Sequence, residues 1–487
     1  MLFNSFDFLF FFPIVWGIWA LLRRLGRFRI CLGILVAASF VFYGFYDWKL
    51  CLLLGSSIGV NYVLHRLLIS DKRTGWQRYA LLFAGLLFNV GLLFYFKYLD
   101  FTIENVNRVI RADIPLRGNV LPLGISFYTF QQLSFVIDSY YRRMKAYSFL
   151  EYAAFVSFFP QLVAGPIVLH QELIPQLKEQ KKSIASEDIV RGVEYFVIGL
   201  AKKMLVADRF AKLVNVGFAN VYGLTGPDAV LMILGYTLQI YFDFSGYCDM
   251  AIGLGYFFGV RLPVNFDSPY KAKNISEFWK RWHMTLTRFF TTYLYIPLGG
   301  NRKGLTRTCM NTLIVFAVSG LWHGAAWTYV LWGFLHGIAM VIWRLFGKWL
   351  SKLPGGLNWI MTFGFVNCAW CFFRATYLEQ PLHLFMQIFK RPFEGISFPL
   401  CGVLFEDSIL WETIRNLVPL GVLEICGPIL IVSWFLLWVI VCVKAPSSHE
   451  LVMRKQRSVK WSIWIGFLFA LCILKLTQVS EFIYFNF

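Results

Sequence analysis

The feature that most constrains this chain is the length of its apolar runs. Residues 79–96, 311–343 and 461–476 are almost free of charge and are near or beyond the roughly 20 residues an α-helix needs to cross a bilayer core. Further apolar runs lie near 8–22, 30–47, 50–68, 120–138, 149–168, 190–207, 228–259, 357–373 and 428–443. Only 15% of the side chains are charged and mean hydropathy is +0.60, whereas a soluble domain carries about a quarter charged residues. Composition excludes a disordered, collagen-like or disulfide-stapled chain. The sequence predicts an all-α polytopic membrane protein with one membrane domain over 1–478 and a separate tail over 479–487.

The net charge is +19, and its placement decides what it means. Lys and Arg fall between the apolar runs, at 23–29, 72–78, 142–145, 178–191 and 444–460, the pattern of cytoplasmic loops and lipid-facing flanks. No basic stripe with interleaved aromatics lies in a soluble segment, so no nucleic-acid partner is expected. Asp7 precedes the first run and Arg23, Arg24, Arg27 and Arg29 follow it. Charge bias therefore makes 8–22 a retained first span with its N-terminus outside, rather than a signal peptide. The basic stretch 449–460 is expected in the cytoplasm. The tail 480–487, in which four of eight residues are aromatic, is then expected outside, in the interface or folded back into the protein.

Runs 228–259 and 311–343 are long enough to be bent or doubled, and alternation of inside and outside fails in the middle of the chain. Broken or re-entrant helices are expected there, and such backbone is tolerated at membrane depth only inside protein or facing a water-filled cavity. The ten cysteines are scattered, with one close pair, Cys368 and Cys371. No further ligands adjoin that pair, so it reads as two packing residues and no metal is expected.

Polar groups at membrane depth are costly and therefore informative. Gln239, Asp243, Ser245 and Asp249 punctuate one apolar run, either as a network tying helices together or as the wall of a hydrated tunnel. Segment 261–307 holds nine basic residues against Asp267 and Glu277, with bulky aromatics between them. This pattern suits helices lying along an interface. It would attract anionic membrane lipid, or a phosphate-bearing donor such as coenzyme A or a phosphopantetheinylated carrier protein.

Three histidines fall in this central region. His283 follows Trp282, His323 stands in GLWHGAAW between Gly320 and Gly324, and His336 lies in WGFLHG. On one straight helix His323 and His336 would be about 20 Å apart and on nearly opposite faces, which excludes a shared site. Small neighbours around His323 permit close approach of a substrate or of another backbone. A neutral imidazole there suits a general base for a hydroxyl attacking a thioester; a hydrogen-bonded packing residue is the alternative.

Five ordered blocks carry a resemblance. LPLGISFYTFQQLSFVIDSYY (121–141), FFPQLVAGPIVLHQELIPQL (158–177), FDFSGYCDMAIGLGYFFGVRLPVNFDSPY (242–270), FWKRWHMTLTRFFTTYLYIPLGGNRKG (278–304) and SGLWHGAAWTYVLWGFLHG (319–337) closely resemble membrane-bound O-acyltransferases (MBOAT). The nearest branch comprises the bacterial alginate O-acetylation membrane subunit and its relatives in peptidoglycan and cellulose acetylation. The membrane protein of teichoic acid D-alanylation is more distant.

The resemblance implies a ring of about 11–13 transmembrane and re-entrant helices around a central tunnel. It implies an O-acyltransferase of the bacterial inner membrane that takes an acyl group, acetyl first among the candidates, from a cytoplasmic thioester. The donor would be acyl-CoA (acetyl-CoA) or an acyl carrier protein, with no resident cofactor. The group would pass outward to an exported or cell-surface polysaccharide, with an exported SGNH-type acyltransferase as partner. The family's intramembrane histidine falls on His323 and its second polar position on His283. The donor path or tunnel wall is expected to involve Lys280, Arg281, Trp282, Asp243, Gln239 and Trp322. FIYFNF (482–487) resembles an aromatic C-terminal motif whose tyrosine, here Tyr484, is proposed to carry the acyl group. A transporter or channel, suggested by Asp243 and Asp249, and a non-catalytic scaffold of an export complex are the rival readings; no inverted repeat supports the first.

Overall fold

The computed structural model describes residues 1–179, 183–397, 399–405, 412–413, 416–454, 458–476 and 482–483. Among these residues there is no strand, and eight helices are long and apolar enough to cross a membrane. The shorter apolar helices Phe28–Gly44 and Val459–Leu474 accompany them. The chain is an all-α polytopic membrane protein. Its residues form two compact units, one of Met1–Gly199, Tyr247–Val264 and Val452–Phe487, the other of Leu200–Gly246 and Asn265–Leu451.

In the first unit, helix Phe6–Arg24 opens on Ser5, whose side chain accepts a hydrogen bond from the Phe8 amide at 3.3 Å. Asp7 sits in its first turn and Arg23 and Arg24 in its last, each matched to the partial charge at that end. Phe8 packs among the rings of Phe3, Phe42, Phe159 and Phe196. Helices Lys49–Leu68, Gly75–Leu93 and Ile125–Tyr140 are tied by buried amides. Asn61 Nδ2 donates to Asn89 Oδ1 at 3.1 Å and to Gln132 Oε1 at 2.8 Å, so polar side chains at depth are satisfied between helices. Run 149–168 does not continue as one span. It breaks into Phe149–Ser157 and Phe159–Leu162, with Pro160 at the start of the second piece. Phe482 is buried and meets Tyr247 edge-on at 4.9 Å, and Phe3 stacks on the same Tyr247 ring at 4.9 Å. Phe482 of the tail is folded back into the protein.

In the second unit, run 311–343 is doubled. Helices Gly304–His323 and Trp327–Leu350 form a hairpin whose turn begins with Gly324 in extended conformation. A Cβ on Gly320 would stand 2.3 Å from the Tyr329 carbonyl oxygen, and one on Gly333 2.3 Å from that of Phe316. The two backbones touch there, which is the packing that small residues allow between membrane helices. Run 228–259 is not doubled: Gly226–Phe257 is one continuous helix of 32 residues, its residues up to Gly246 belonging to the second unit and the rest to the first.

Candidate active site

The second unit gathers the two histidines singled out from sequence. His323 ends its helix at the hairpin turn and His283 stands between the short helices Ile275–Arg281 and Met284–Phe290. Their ring centroids are 6.3 Å apart, and both rings are buried. Trp322 lies beside both, 4.8 Å from the His323 ring and 6.2 Å from that of His283. Trp332 meets His323 edge-on at 5.1 Å and Phe373 approaches at 5.1 Å. The wall of the pair is therefore aromatic, contributed by both arms of the hairpin and by helix Gly355–Arg374.

His283 is held by its backbone and by Asn265. Its φ of +44° lies in the left-handed region, uncommon for a residue with a side chain and a mark of local constraint. Its Nδ1 is 3.2 Å from Asn265 Oδ1. The same oxygen accepts from the Thr285 amide at 3.2 Å and the Thr285 hydroxyl at 2.9 Å, and the backbone donor fixes which amide atom is the oxygen. Nδ1 of His283 is thus the protonated nitrogen, and Nε2 carries the basic lone pair. Burial pushes the His283 pKa down to about 3, so the ring is neutral at physiological pH.

The straight-helix expectation for His323 and His336 does not hold, because the turn at Gly324 separates them onto two helices. They flank one indole: Trp332 is 5.1 Å from His323 and 4.9 Å from His336. His336 Nδ1 accepts from Trp279 Nε1 at 3.3 Å, and its ring lies within the aromatic core with Phe278 and Phe365. Of the glycines around His323, Gly320 admits the backbone of Tyr329 and Gly324 admits the Tyr329 ring.

The remaining sequence candidates divide by environment. Trp282 is buried against Phe266, Phe278 and Trp370. Lys280 is exposed. Arg281 braces its own loop: Nε donates to Glu277 Oε1 at 3.1 Å, and Nη1 to the Asp267 backbone oxygen at 3.1 Å and carboxylate at 3.2 Å. Asp243 is buried in an ion pair with Lys203, Nζ to Oδ1 2.6 Å, and Lys203 also reaches Asp208 at 2.9 Å. Gln239 is buried on the same helix, while Asp249 falls in the first unit. Cys371 is buried and its thiol donates to the Asn367 carbonyl, whereas Cys368 is exposed. Tyr484 lies outside the described residues. Sequence reading missed Asn265, Thr285, Lys203 and Phe373; two adjacent lysines inside the apolar run 190–207 were the available sign of a buried ion pair.

Comparison with known proteins agrees with this arrangement. The family described as "MBOAT, membrane-bound O-acyltransferase family" matches residues 92–379, which include both histidines. A peptidoglycan O-acetyltransferase of Helicobacter pylori is 38% identical over 93% of this chain and 91% of its own length. The "Probable alginate O-acetylase AlgI" of Pseudomonas aeruginosa is 38% identical over 80% of this chain and 75% of its own. The teichoic acid D-alanyltransferase of Bacillus subtilis is 28% identical over 54% of this chain and 69% of its own. A buried histidine pair in an aromatic wall, within a helical membrane chain that matches these proteins over most of its length, makes this chain a member of the membrane-bound O-acyltransferase family and an O-acyltransferase.

Proposed function

We propose that this enzyme takes an acetyl group from a cytoplasmic thioester, acetyl-CoA or an acetylated carrier protein, and delivers it for O-acetylation of an exported or cell-surface polysaccharide. The observation that carries the reading is the His283–His323 pair, buried with its rings 6.3 Å apart. Two relatives that align over at least 80% of this chain are named for O-acetylation of glycans, which favours acetyl over D-alanyl. His323 acts as general base toward the attacking hydroxyl. His283, with its lone pair on Nε2, positions the donor by accepting a hydrogen bond, and the proton that reaches the leaving thiolate is the one taken up by His323. The C–S bond of the thioester breaks as the new C–O ester bond forms, and the hydroxyl proton leaves by way of imidazole to the thiol.

The first acceptor in this reading is Tyr484, whose phenol forms the ester that an exported SGNH-type acyltransferase then consumes. Two features support it: the tail's Phe482 is seated in the protein, and Phe3 and Phe482 pack on the same Tyr247 ring. The basic stretches favour the outer face for both termini in a bacterial inner membrane. The enzyme in vesicles, given labelled acetyl-CoA without the exported partner, should yield a C-terminal peptide one acetyl group heavier at Tyr484. An unmodified peptide under conditions where the glycan is acetylated overturns the tyrosine step and leaves direct transfer.

Donor capture is assigned to the exposed basic groups of the second unit. Because Arg281 is braced by Asp267 and Glu277, the clean probe is Lys280. Lys280→Glu should raise KM for acetyl-CoA severalfold at low ionic strength, with the difference shrinking as salt screens exposed charge. An unchanged KM across a salt series in inside-out vesicles assigns Lys280 to lipid contact instead.

A further inference from the structure

Helix Trp327–Leu350 carries a row of polar atoms that the fold leaves without partners. Thr328, Trp332 and His336 follow one another at intervals of four residues, so they lie one turn apart on one face. All three are buried, and Thr328 Oγ1, Trp332 Nε1 and His336 Nε2 have no hydrogen-bond partner. Most buried polar groups in folded proteins are paired, because an unpaired donor bears its desolvation cost without return. Such a row beside the candidate base calls for a ligand atom.

The chemistry of the row says which kind of atom. An indole nitrogen only donates. His336 Nδ1 accepts from Trp279 Nε1 at 3.3 Å, so the hydrogen of this imidazole is on Nε2, a second donor. The other rings packed on Trp332 are those of Trp279, Trp370 and Phe373, and none offers an oxygen or a basic nitrogen. A buried water needs several polar partners, for its own hydrogens as well as its lone pairs. A carbonyl oxygen has no hydrogen to place and fits a row of donors better.

Of the two donors, Trp332 is the one against the chemistry. Its ring is perpendicular to that of His323, with centroids 5.1 Å apart. The backbone holds that relation. Trp332 immediately precedes Gly333, and His323 follows Gly320 by three residues. A Cβ on Gly333 would stand 3.0 Å from Gly320 Cα, so the two arms of the hairpin are in backbone contact there. Neither residue can shift far without the other. A donor set in place before charge develops is what stabilising an oxyanion requires.

We propose that Trp332 is a catalytic residue whose indole N–H donates to the carbonyl oxygen of the acyl group under attack. The acceptor hydroxyl oxygen bonds to the acyl carbon and its proton passes to His323. The π pair of the carbonyl moves onto its oxygen, where Nε1–H stabilises the negative charge. When that pair returns, the C–S bond breaks and the thiolate leaves with the proton held by His323. The assignment rests on the reading of His323 as base and adds the group that stabilises the intermediate.

Two variants separate the N–H from the ring. Trp332→Phe removes the nitrogen together with part of the volume. Trp332→3-benzothienylalanine, made by amber suppression, keeps the bicyclic shape and puts sulfur in place of N–H. Both are compared with wild type and His323→Gln at equal protein level. The readouts are thiol release from acetyl-CoA in inside-out vesicles and base-labile acyl ester on the surface polysaccharide of intact cells. Both Trp332 variants should lower kcat about 10²- to 10³-fold, the loss that removal of one oxyanion donor causes. KM for acetyl-CoA should stay near the wild-type value, as for an interaction made only in the transition state. The benzothienyl variant should melt at the wild-type temperature. Wild-type rates in that variant, whatever Trp332→Phe does, make the indole a packing group and overturn the proposal. So does a loss carried by KM alone, or one that follows loss of folded protein. Wild-type transfer by His323→Gln overturns the base reading and this assignment with it. An inactive His323→Gln beside active Trp332 variants overturns this assignment alone.

Discussion

His323→Ala lowers acyl transfer by roughly 10²- to 10⁴-fold, the range a positioned general base contributes, while the protein still inserts and accumulates. Removing a ring that touches Trp322, Trp332 and Phe373 leaves a void. His323→Gln is therefore the companion variant: it keeps a polar side chain of similar reach and lacks a titrating nitrogen. Both should lose acetyl transfer to glycan, and the Gln variant should keep the thermal stability of the wild type in detergent. Acetyl content equal to wild type in either variant, at equal protein level, removes His323 from the chemistry and favours the scaffold reading. Loss of activity in Ala alone, together with lost stability, makes the histidine a packing residue of the hairpin.

What could be read from sequence and what could not follows from the range of the interactions involved. The doubling of run 311–343 was visible because its length exceeds one crossing, yet the position of the turn depends on the contact of Gly320 with Gly333 across the hairpin, which periodicity does not report. The same length argument allowed a bend or a doubling in 228–259, and the structure keeps that helix continuous and buried. His323 and His283 were legible as polar groups out of place in apolar or aromatic surroundings. Their proximity was not, since they stand forty positions apart in the chain, with helix Met284–Phe290 and nearly all of Gly304–His323 between them. Asn265 looked like one amide among many in VNFDSPY; only its oxygen, shared by His283 and Thr285, shows what it positions. Arg281 was expected on the donor path, and the carboxylates that brace it were the two acids already counted in the same segment.

Asp243 gives the second large effect, through its partner. Lys203 and Asp243 are both about 2% exposed and pair at 2.6 Å, tying the π-helical turn Lys202–Ala207 to the helix Gly226–Phe257. Lys203→Met keeps the length of the side chain and removes the ammonium. Asp243 is then buried without its countercharge, beside Asp208, which had shared that lysine at 2.9 Å. Removing one partner of a buried pair costs about 3–5 kcal/mol, whereas replacing both by apolar groups is often near neutral. The single variant should therefore unfold in detergent at markedly lower denaturant, and Lys203→Met combined with Asp243→Leu should recover most of the loss. A single variant as stable as the wild type overturns the tie. The double variant also separates the two roles that the sequence left open for Asp243. A recovered fold with recovered acyl transfer makes the pair structural, while a recovered fold that still transfers no acetyl places Asp243 in the path of the reaction, because only then does its carboxylate do something that packing does not replace.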